Sequence, residues 1–190
     1  MLDKKKNVAL FIDNDNLLIN LHGMRIDLNV IVDRIKQDNG VIVMGKSYIT
    51  LNNEDNIDRK GNLFYEHFKR GIEPVFTPKY NAGNENEKSK SLGDPMLFCD
   101  AMEILYEKPE IDTFVIVSGD KDMIPLIRHI AKKGKNVIVI GVDESTADAL
   151  IKECNRLGFD FENYGALVLQ SKKDSENEGK NNELMNEKKV

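Results

Sequence analysis

The chain is poor in the residues that build disulfides, zinc sites and membrane spans. Its two cysteines, Cys99 and Cys154, fall in predicted helices without metal-ligand spacing, which predicts reduced thiols that pack as small apolar residues. With three histidines a histidine-rich zinc site is not expected, so any metal would have to be held by oxygen. No apolar stretch approaches the roughly 20 residues of a transmembrane helix. No apolar signal segment precedes the first predicted strand, and a cytoplasmic location is expected.

The sequence also lacks an excess of positive charge. It has 27 Lys and Arg residues against 32 Asp and Glu residues, a net charge of −5. This balance argues against a wide nucleic-acid-binding surface. Acids that bind a metal add negative charge themselves, however, and a bound divalent ion partly reverses that charge.

What the sequence does contain is a regular alternation of strands and helices. Apolar, β-branched runs predict strands at 7–13, 41–51, 72–77, 113–117, 136–142 and 159–164. Helical spacing of apolar residues predicts helices at 27–39, 58–70, 94–107, 123–133 and 145–157. This order predicts an α/β fold, a three-layer α/β/α sandwich around a mostly parallel sheet. Pro74 indicates that the third strand lies near an edge.

Three segments lack such periodicity. Residues 52–56 predict a loop, and 79–93 predict a mobile loop of functional length. From 171 onward the composition is almost wholly polar and charged, which predicts a disordered tail at 171–190 after a single domain at 1–170.

Acidic residues follow two of the predicted strands. Asp13 ends the first strand, and Ser118-Gly119 separates the strand at 113–117 from Asp120 and Asp122. In a doubly wound sheet these two strands can be neighbours, and ligands bind at the carboxyl ends of the strands. An acid at the end of a buried strand is costly unless it has a partner or a metal. We therefore expect Asp13 and Asp120 to face each other in one pocket.

A third acid, Asp94, opens the helix at 94–107 and could present its carboxylate to the same pocket. Asp94 also fits a plain N-cap before Pro95, and Asp122 fits a cap for the helix that begins near Met123. If the acids do meet, they repel one another unless a cation lies among them. Mg²⁺ or Mn²⁺ suits such an all-oxygen site.

Three motifs in this order resemble the signature of NYN domains, the LabA-like branch of the PIN-like nuclease superfamily. They are FIDNDNL at 11–17, KSLGDPMLFCDAM at 90–102 and VIVSGDKDMIPL at 115–126. Residues 134–141 and 157–164 are also similar to that family's closing segments, so the resemblance covers about 7–164. It implies a PIN-like fold and metal-dependent cleavage of RNA, with Asp13, Asp94, Asp120 and Asp122 as catalytic metal ligands.

The resemblance also assigns supporting positions. Asn16 matches a polar position beside the first acid, and Asp100 matches a second acid on the helix of Asp94. Six helical residues turn by about 240°, so Asp100 should not share a face with Asp94. We expect Asn16, Asp15, Asp100 and Ser118 to orient ligands or support the acids. Gly93 and Pro95 depart from the family's usual neighbours of Asp94, so the helix entry should differ locally.

The hypothesis is a divalent-metal-dependent endoribonuclease acting on RNA, with single-stranded RNA among its candidate substrates. Its candidate phosphate contacts are Lys46, Arg59, Lys79, Lys88 and Lys90, each of which also fits a solvated surface position. The mobile loop at 79–93 could close over a bound strand. An edge strand leaves room for a homodimer, but nothing in the sequence specifies one.

Two alternatives stay open. Asp13-Asn-Asp-Asn16 resembles the acidic motif of haloacid-dehalogenase-type phosphatases, with Asp13 as nucleophile, Asp15 as acid catalyst, and Thr50 and Gly119-Asp120 as later elements. Asn16 is the wrong residue for that motif, and no cap insertion is evident. The second alternative is a non-catalytic module that binds RNA or a protein through the same cleft.

Overall fold

A parallel sheet forms the centre of the computed structural model, which describes residues 4–21, 26–50, 57–80 and 90–187. Within these ranges the sheet has six strands: β1 (Lys6–Asp13), β2 (Gly40–Thr50), β3 (Glu73–Thr77), β6 (Thr113–Val117), β7 (Asn136–Gly141) and β8 (Asp160–Asn163). Their spatial order is β3-β2-β1-β6-β7-β8, and every neighbouring pair is parallel. The two-residue strands β4 (Lys79–Tyr80) and β5 (Lys90–Ser91) pair separately and antiparallel.

Helices cover both faces of this sheet. They are α1 (Asn14–Asn20), α2 (Leu28–Gln37), α3 (Ile57–Phe68), α4 (Gly93–Glu107), α5 (Ile124–Lys132), α6 (Asp148–Leu157) and α7 (Tyr164–Glu187). Side chains of α4, α5 and α6 pack with Phe11 and Phe114 on one face. Side chains of α1, α2 and α7 pack with Leu10 and Val115 on the other. The predicted α/β architecture is confirmed.

The middle of the sheet explains why the acids come together. Strand β1 pairs with β2 on one side and β6 on the other, and all five residues of β6 are buried. Burial on both faces is what a continuous apolar run predicts. Because β1 and β6 are parallel neighbours, Asp13 and the turn after Val117 lie at the same edge of the sheet. Strand β3 is an edge strand, as Pro74 predicted.

Several local predictions need correction. The polar residues after β1 begin helix α1, which was not among the predicted helices. The loop predicted at 79–93 contains β4 and β5, while its residues 81–89, like the loop predicted at 52–56, lie outside the described residues. Cys154 is buried in the core as expected, whereas Cys99 is exposed.

The C-terminal part also differs from its prediction. Helix α7 continues through Glu187, whereas the composition predicts disorder from 171 onward. Its first turn packs on the sheet through the buried Tyr164, whose hydroxyl accepts a hydrogen bond from the Asp27 N–H at 2.7 Å. The domain boundary at 170 stays a prediction. No helix in the described ranges is both long and apolar enough to cross a bilayer.

Candidate metal centre

Asp13 is a buried carboxyl group at the centre of the carboxyl edge. It is the last residue of β1 and the N-cap of α1, and its side chain is held by two donors. The Asn16 N–H donates to Oδ1 at 3.0 Å, and the Ser118 hydroxyl donates to Oδ2 at 3.1 Å. Asp13 is only 7% exposed, and burial raises the pKa of its carboxyl from 3.8 to about 7. The two donors oppose this rise, and the negative charge of Asp94 adds to it.

Asp94 lies beside Asp13 as the second residue of α4. The N-cap of α4 is Leu92, which makes no side-chain capping bond, so the alternative that Asp94 is merely a cap is wrong. Instead, the Asp94 carboxyl shares a hydrogen bond with that of Asp13. Burial raises the pKa of Asp94, and repulsion from Asp120, Asp122 and Asp15 raises it further. Two carboxyl groups that share a hydrogen bond hold one proton between them.

Asp120 and Asp122 complete the acidic edge from the turn after β6. Asp120 caps the 3₁₀ turn at Lys121–Met123 by accepting a hydrogen bond from the Asp122 N–H at 2.9 Å. Asp122 does not cap the following helix α5, whose N-cap is Met123 without a side-chain capping bond. The Asp122 side chain is 71% exposed, with the Lys121 ammonium 3.7 Å away. Both acids are close enough to repel Asp94.

These four carboxylates fit a hard divalent cation by their chemistry, since all the donors are oxygens. Among the described residues, however, no three His, Cys, Asp or Glu side chains are already gathered as a ligand set. Asp94 lies beside Asp13, while Asp120 accepts the capping bond of the 3₁₀ turn. A cation bound at this edge would take the place of any proton held by Asp13 or Asp94.

Asp13 and Asp94 differ from two other shielded acids in lacking a positively charged partner among the described side chains. Glu153 lies between the guanidinium groups of Arg128 and Arg156, and Glu162 pairs with Arg34. Where side chains are described, neither Asp13 nor Asp94 has a Lys, Arg or His within ion-pair distance. A proton or a cation must neutralise them.

Hydrogen bonds of Ser118, Asn16 and Gly119 connect the start of α1 with the turn after β6. The Ser118 hydroxyl donates to Asp13 and accepts from the Asp120 N–H at 3.2 Å. The Asn16 side-chain oxygen accepts from the Gly119 N–H at 2.9 Å. A Cβ at Gly119 would lie 2.9 Å from the Thr146 hydroxyl and 3.1 Å from its Cα, so a larger residue does not fit. The Asn16 side chain therefore helps to position the turn after β6.

A group of hydroxyl side chains beside the acids was also missed. The Thr50 hydroxyl lies 2.9 Å from that of Thr77 and 2.5 Å from that of Ser91, and the Thr50 N–H donates to Asp15 Oδ1 at 3.1 Å. The Ser91 hydroxyl accepts from the Gly93 N–H at 3.0 Å. These bonds tie the ends of β2 and β3 to the start of α4. The signal in the sequence is a threonine at or next to the end of two predicted strands, Thr50 in 41–51 and Thr77 in 72–77.

Asp100 and the candidate phosphate contact Lys46 form an ion pair with each other. Asp100 accepts from the Lys46 ammonium at 2.8 Å and from the Tyr48 hydroxyl at 2.6 Å, which ties α4 to β2. It has the structural role expected for it, and Lys46 is engaged by this ion pair. Burial, and then the bond to Asp100, raise the pKa of Tyr48. The side chains of Arg59, Lys79 and Lys90, and all of Lys88, lie outside the described residues.

Comparison with known proteins gives a family and a fold for this arrangement. The sequence model of the NYN domain matches residues 7–159. An uncharacterized protein of Methanocaldococcus jannaschii, MJ0482, is 31% identical over 146 residues, which are 75% of this chain and 50% of that protein. This chain therefore spans half the length of that relative. The crystal structure of a protein of unknown function from Vibrio parahaemolyticus, VPA0982, superposes with a TM-score of 0.67 at 24% identity, covering 86% of this chain and 95% of that one.

Proposed function

This chain belongs to the NYN domain family, and on that premise we propose that it is a divalent-metal-dependent endoribonuclease that hydrolyses RNA phosphodiester bonds. The observation that carries the proposal is the buried Asp13 carboxyl beside the half-buried Asp94 at the carboxyl edge of a parallel sheet, where burial raises the pKa of both groups. A buried carboxylate without a positively charged partner is unfavourable for folding, which supports a cation at this place in the working protein.

Asp13 and Asp94 would hold the cation, with Asp120 and Asp122 rotating in to complete its shell. Mg²⁺ or Mn²⁺, when bound, supplies positive charge for the phosphoryl oxygens and lowers the pKa of a water molecule. Ser118 and Asn16 keep Asp13 and the turn after β6 in place. Because the pKa values of Asp13 and Asp94 are raised, cation binding displaces a proton and strengthens as the pH rises toward 8.

RNA is the substrate class we infer, and the chain's surface supports it only in part. Lys46 is engaged by Asp100, so it is a poor contact for phosphate. That leaves Arg59, Lys79, Lys88 and Lys90 as candidate contacts. Arg59 lies in the first turn of α3 and Lys79 follows the end of β3, both toward the carboxyl edge, and Lys90 is four residues before Asp94.

The test is cleavage of a labelled RNA by the purified chain with Mn²⁺, with Mg²⁺ and with EDTA. Asp13→Asn and Asp94→Asn should each lower the rate at least about a hundredfold, since a metal ligand is lost. Asp33→Asn is the matched control, because Asp33 is an exposed acid paired only with Lys36 on α2. An RNA with 2′-deoxyribose at the cut site should still be cleaved, which separates metal-dependent hydrolysis from contaminating ribonucleases that use the 2′-hydroxyl. Cleavage by Asp13→Asn at the wild-type rate would refute the proposal.

A binding module without turnover is the second candidate. It is favoured by the absence, among the described side chains, of a ready-made ligand set for the metal. Mn²⁺ would then raise the melting temperature of the wild type but not of Asp13→Asn, and no RNA or single-stranded DNA would be cut. The phosphatase alternative is disfavoured, because the Asp15 oxygen is occupied by the Thr50 N–H. It predicts turnover of phosphomonoesters that Asp15→Asn abolishes.

A further inference from the structure

Helix α3 exposes aromatic side chains that the metal centre does not use. Phe64, Tyr65 and Phe68 are 51%, 62% and 67% exposed. The rings of Phe64 and Phe68 stack on each other, with centroids 5.9 Å apart and an interplanar angle of 11°. The Lys69 ammonium lies 5.4 Å from the centroid of the Tyr65 ring. Three large exposed rings within two turns of helix form an interaction surface rather than scattered surface residues.

The direction of α3 connects this surface with the acidic edge. The helix joins the parallel neighbours β2 and β3 and packs against β3, so it runs antiparallel to the strands. Its first residue therefore lies toward the carboxyl edge that carries Asp13. Phe64 is seven residues further on, about 10 Å along the helix axis. A short extended strand lying on α3 would reach the metal centre.

The charge beside the rings favours a polyanion as the occupant. Glu66 is shared by Lys69 at 2.6 Å and Arg70 at 2.8 Å, which leaves one positive charge in excess. Residues 57–70 contain four Lys and Arg residues against two Asp and Glu residues, in a chain whose net charge is −5. A symmetric contact with a second copy would set this positive segment against itself.

We propose that Phe64, Tyr65 and Phe68 form a stacking surface for the bases of single-stranded RNA and lead the strand toward the metal centre. Aromatic rings stack on any base, whereas a duplex keeps its base faces covered. Lys69 and Arg70 would contact the phosphates beside the stacked bases. The substrate class rests on the proposed function, but the surface should bind RNA whether or not the chain cleaves it.

The test measures binding of a short labelled single-stranded RNA to the full chain in EDTA, by fluorescence anisotropy. The double variant Phe64→Ala and Phe68→Ala, and the single variant Tyr65→Ala, should each weaken binding by roughly tenfold per ring removed. Tyr106→Ala is the matched control. Tyr106 on α4 is 53% exposed and has the Lys133 ammonium 4.1 Å from its ring centroid, so it is the same aromatic–lysine pair at another place. Circular dichroism checks that each variant folds.

Each result decides the proposal. A tenfold or greater loss in the α3 variants, with the control unchanged and duplex RNA failing to compete, supports it. Unchanged affinity in the double variant overturns it. So does light scattering that finds a wild-type dimer and a monomeric double variant, because the rings would then contact a second copy. If the wild type binds through α3 but cleaves nothing, the nuclease proposal alone fails. If it cleaves RNA and the α3 variants bind normally, the stacking surface alone fails.

Discussion

Replacing Asp13 with asparagine should stabilise the metal-free protein at neutral and alkaline pH. Asparagine has nearly the same shape, and its side-chain oxygen can still accept the hydrogen bond from the Asn16 N–H. Its amide group can donate to Asp94 permanently, where the wild type needs a bound proton. The variant gives up the acceptor of the Ser118 hydroxyl, but it removes the cost of a buried negative charge, which is the larger effect.

The raised pKa of Asp13 determines how large the gain in stability of Asp13→Asn should be. The folded protein holds this proton up to a pKa of about 7, whereas the unfolded chain releases it near 3.8. Between these values the folded state binds more protons, so its stability falls as the pH rises. The contribution of this proton to the folding stability of the wild type is complete below pH 3.8 and is lost as the pH passes through 7. From about pH 5 to about pH 8 the variant should gain roughly 2 to 3 kcal/mol relative to the wild type.

Urea unfolding in EDTA, followed by circular dichroism at several pH values, measures this gain. The quantity to compare is the difference in the free energy of unfolding between variant and wild type, because other groups titrate in both proteins. Burial lowers the pKa of His67, which sits between the Leu63 carbonyl and the Ser47 hydroxyl. The contribution of His67 to folding stability decreases as the pH falls below its unfolded pKa of 6.5, so its dependence on pH is opposite to that of Asp13.

The metal should reverse the order of the two proteins. At a concentration a hundred times its dissociation constant, Mn²⁺ stabilises a protein that binds it by about 2.7 kcal/mol. The wild type should gain this and Asp13→Asn should not, while the control Asp33→Asn should behave like the wild type in both arms. A stability difference between Asp13→Asn and wild type that stays constant from pH 5 to pH 8 would show that the Asp13 proton is not held as the structure indicates.

Three further substitutions test the groups around the acids. Gly119→Ala should cost roughly 1 to 3 kcal/mol in urea unfolding, because its Cβ meets Thr146, and should weaken the stabilisation by Mn²⁺. Normal metal response in that variant would mean that the turn after β6 does not position the site. Asp100→Asn should cost roughly 1 to 2 kcal/mol through its bonds to Lys46 and Tyr48, yet leave the Mn²⁺ response intact. Loss of that response would make Asp100 a metal ligand. Glu153→Gln should lower the melting temperature at neutral pH, because Arg128 and Arg156 hold the pKa of Glu153 well below its usual range. The deficit should shrink as the pH falls below the unfolded value of 4.5, and a deficit that persists in acid would contradict the ion-pair explanation.

The sheet and the meeting of its acids could be predicted because they depend on local pattern and topology. The run from Thr113 to Val117 is apolar at every position, and such a run fits a strand buried on both faces. Two strands of this kind in a doubly wound sheet belong at its centre, next to each other. The position of Asp13 beside the turn of Asp120 follows from those two steps.

The side-chain contacts around the acids depend on tertiary distances and could not be predicted from the sequence. Lys46 was a candidate phosphate contact, but its ammonium pairs with Asp100, which is 54 residues away in the sequence. Nothing in the pattern around Lys46 indicates that partner. The same holds for the hydroxyl group of Thr50, Thr77 and Ser91, which only the ends of two strands and the start of α4 bring together.

The acids themselves show why fold stability alone does not account for this edge. Glu153 and Glu162 are shielded from solvent and each is paired with arginine, so each can remain charged. Asp13 and Asp94 have no positively charged partner among the described side chains, and burial raises the pKa of both. The charge of Asp94 raises the pKa of Asp13 further, and repulsion from Asp120, Asp122 and Asp15 raises that of Asp94. An amide side chain at position 13 would fold with less cost, as the predicted gain in stability of Asp13→Asn expresses. The carboxyl groups are therefore best explained by a ligand that needs their charge, and an anionic pair of oxygens at the end of a parallel sheet is suited to a small divalent cation.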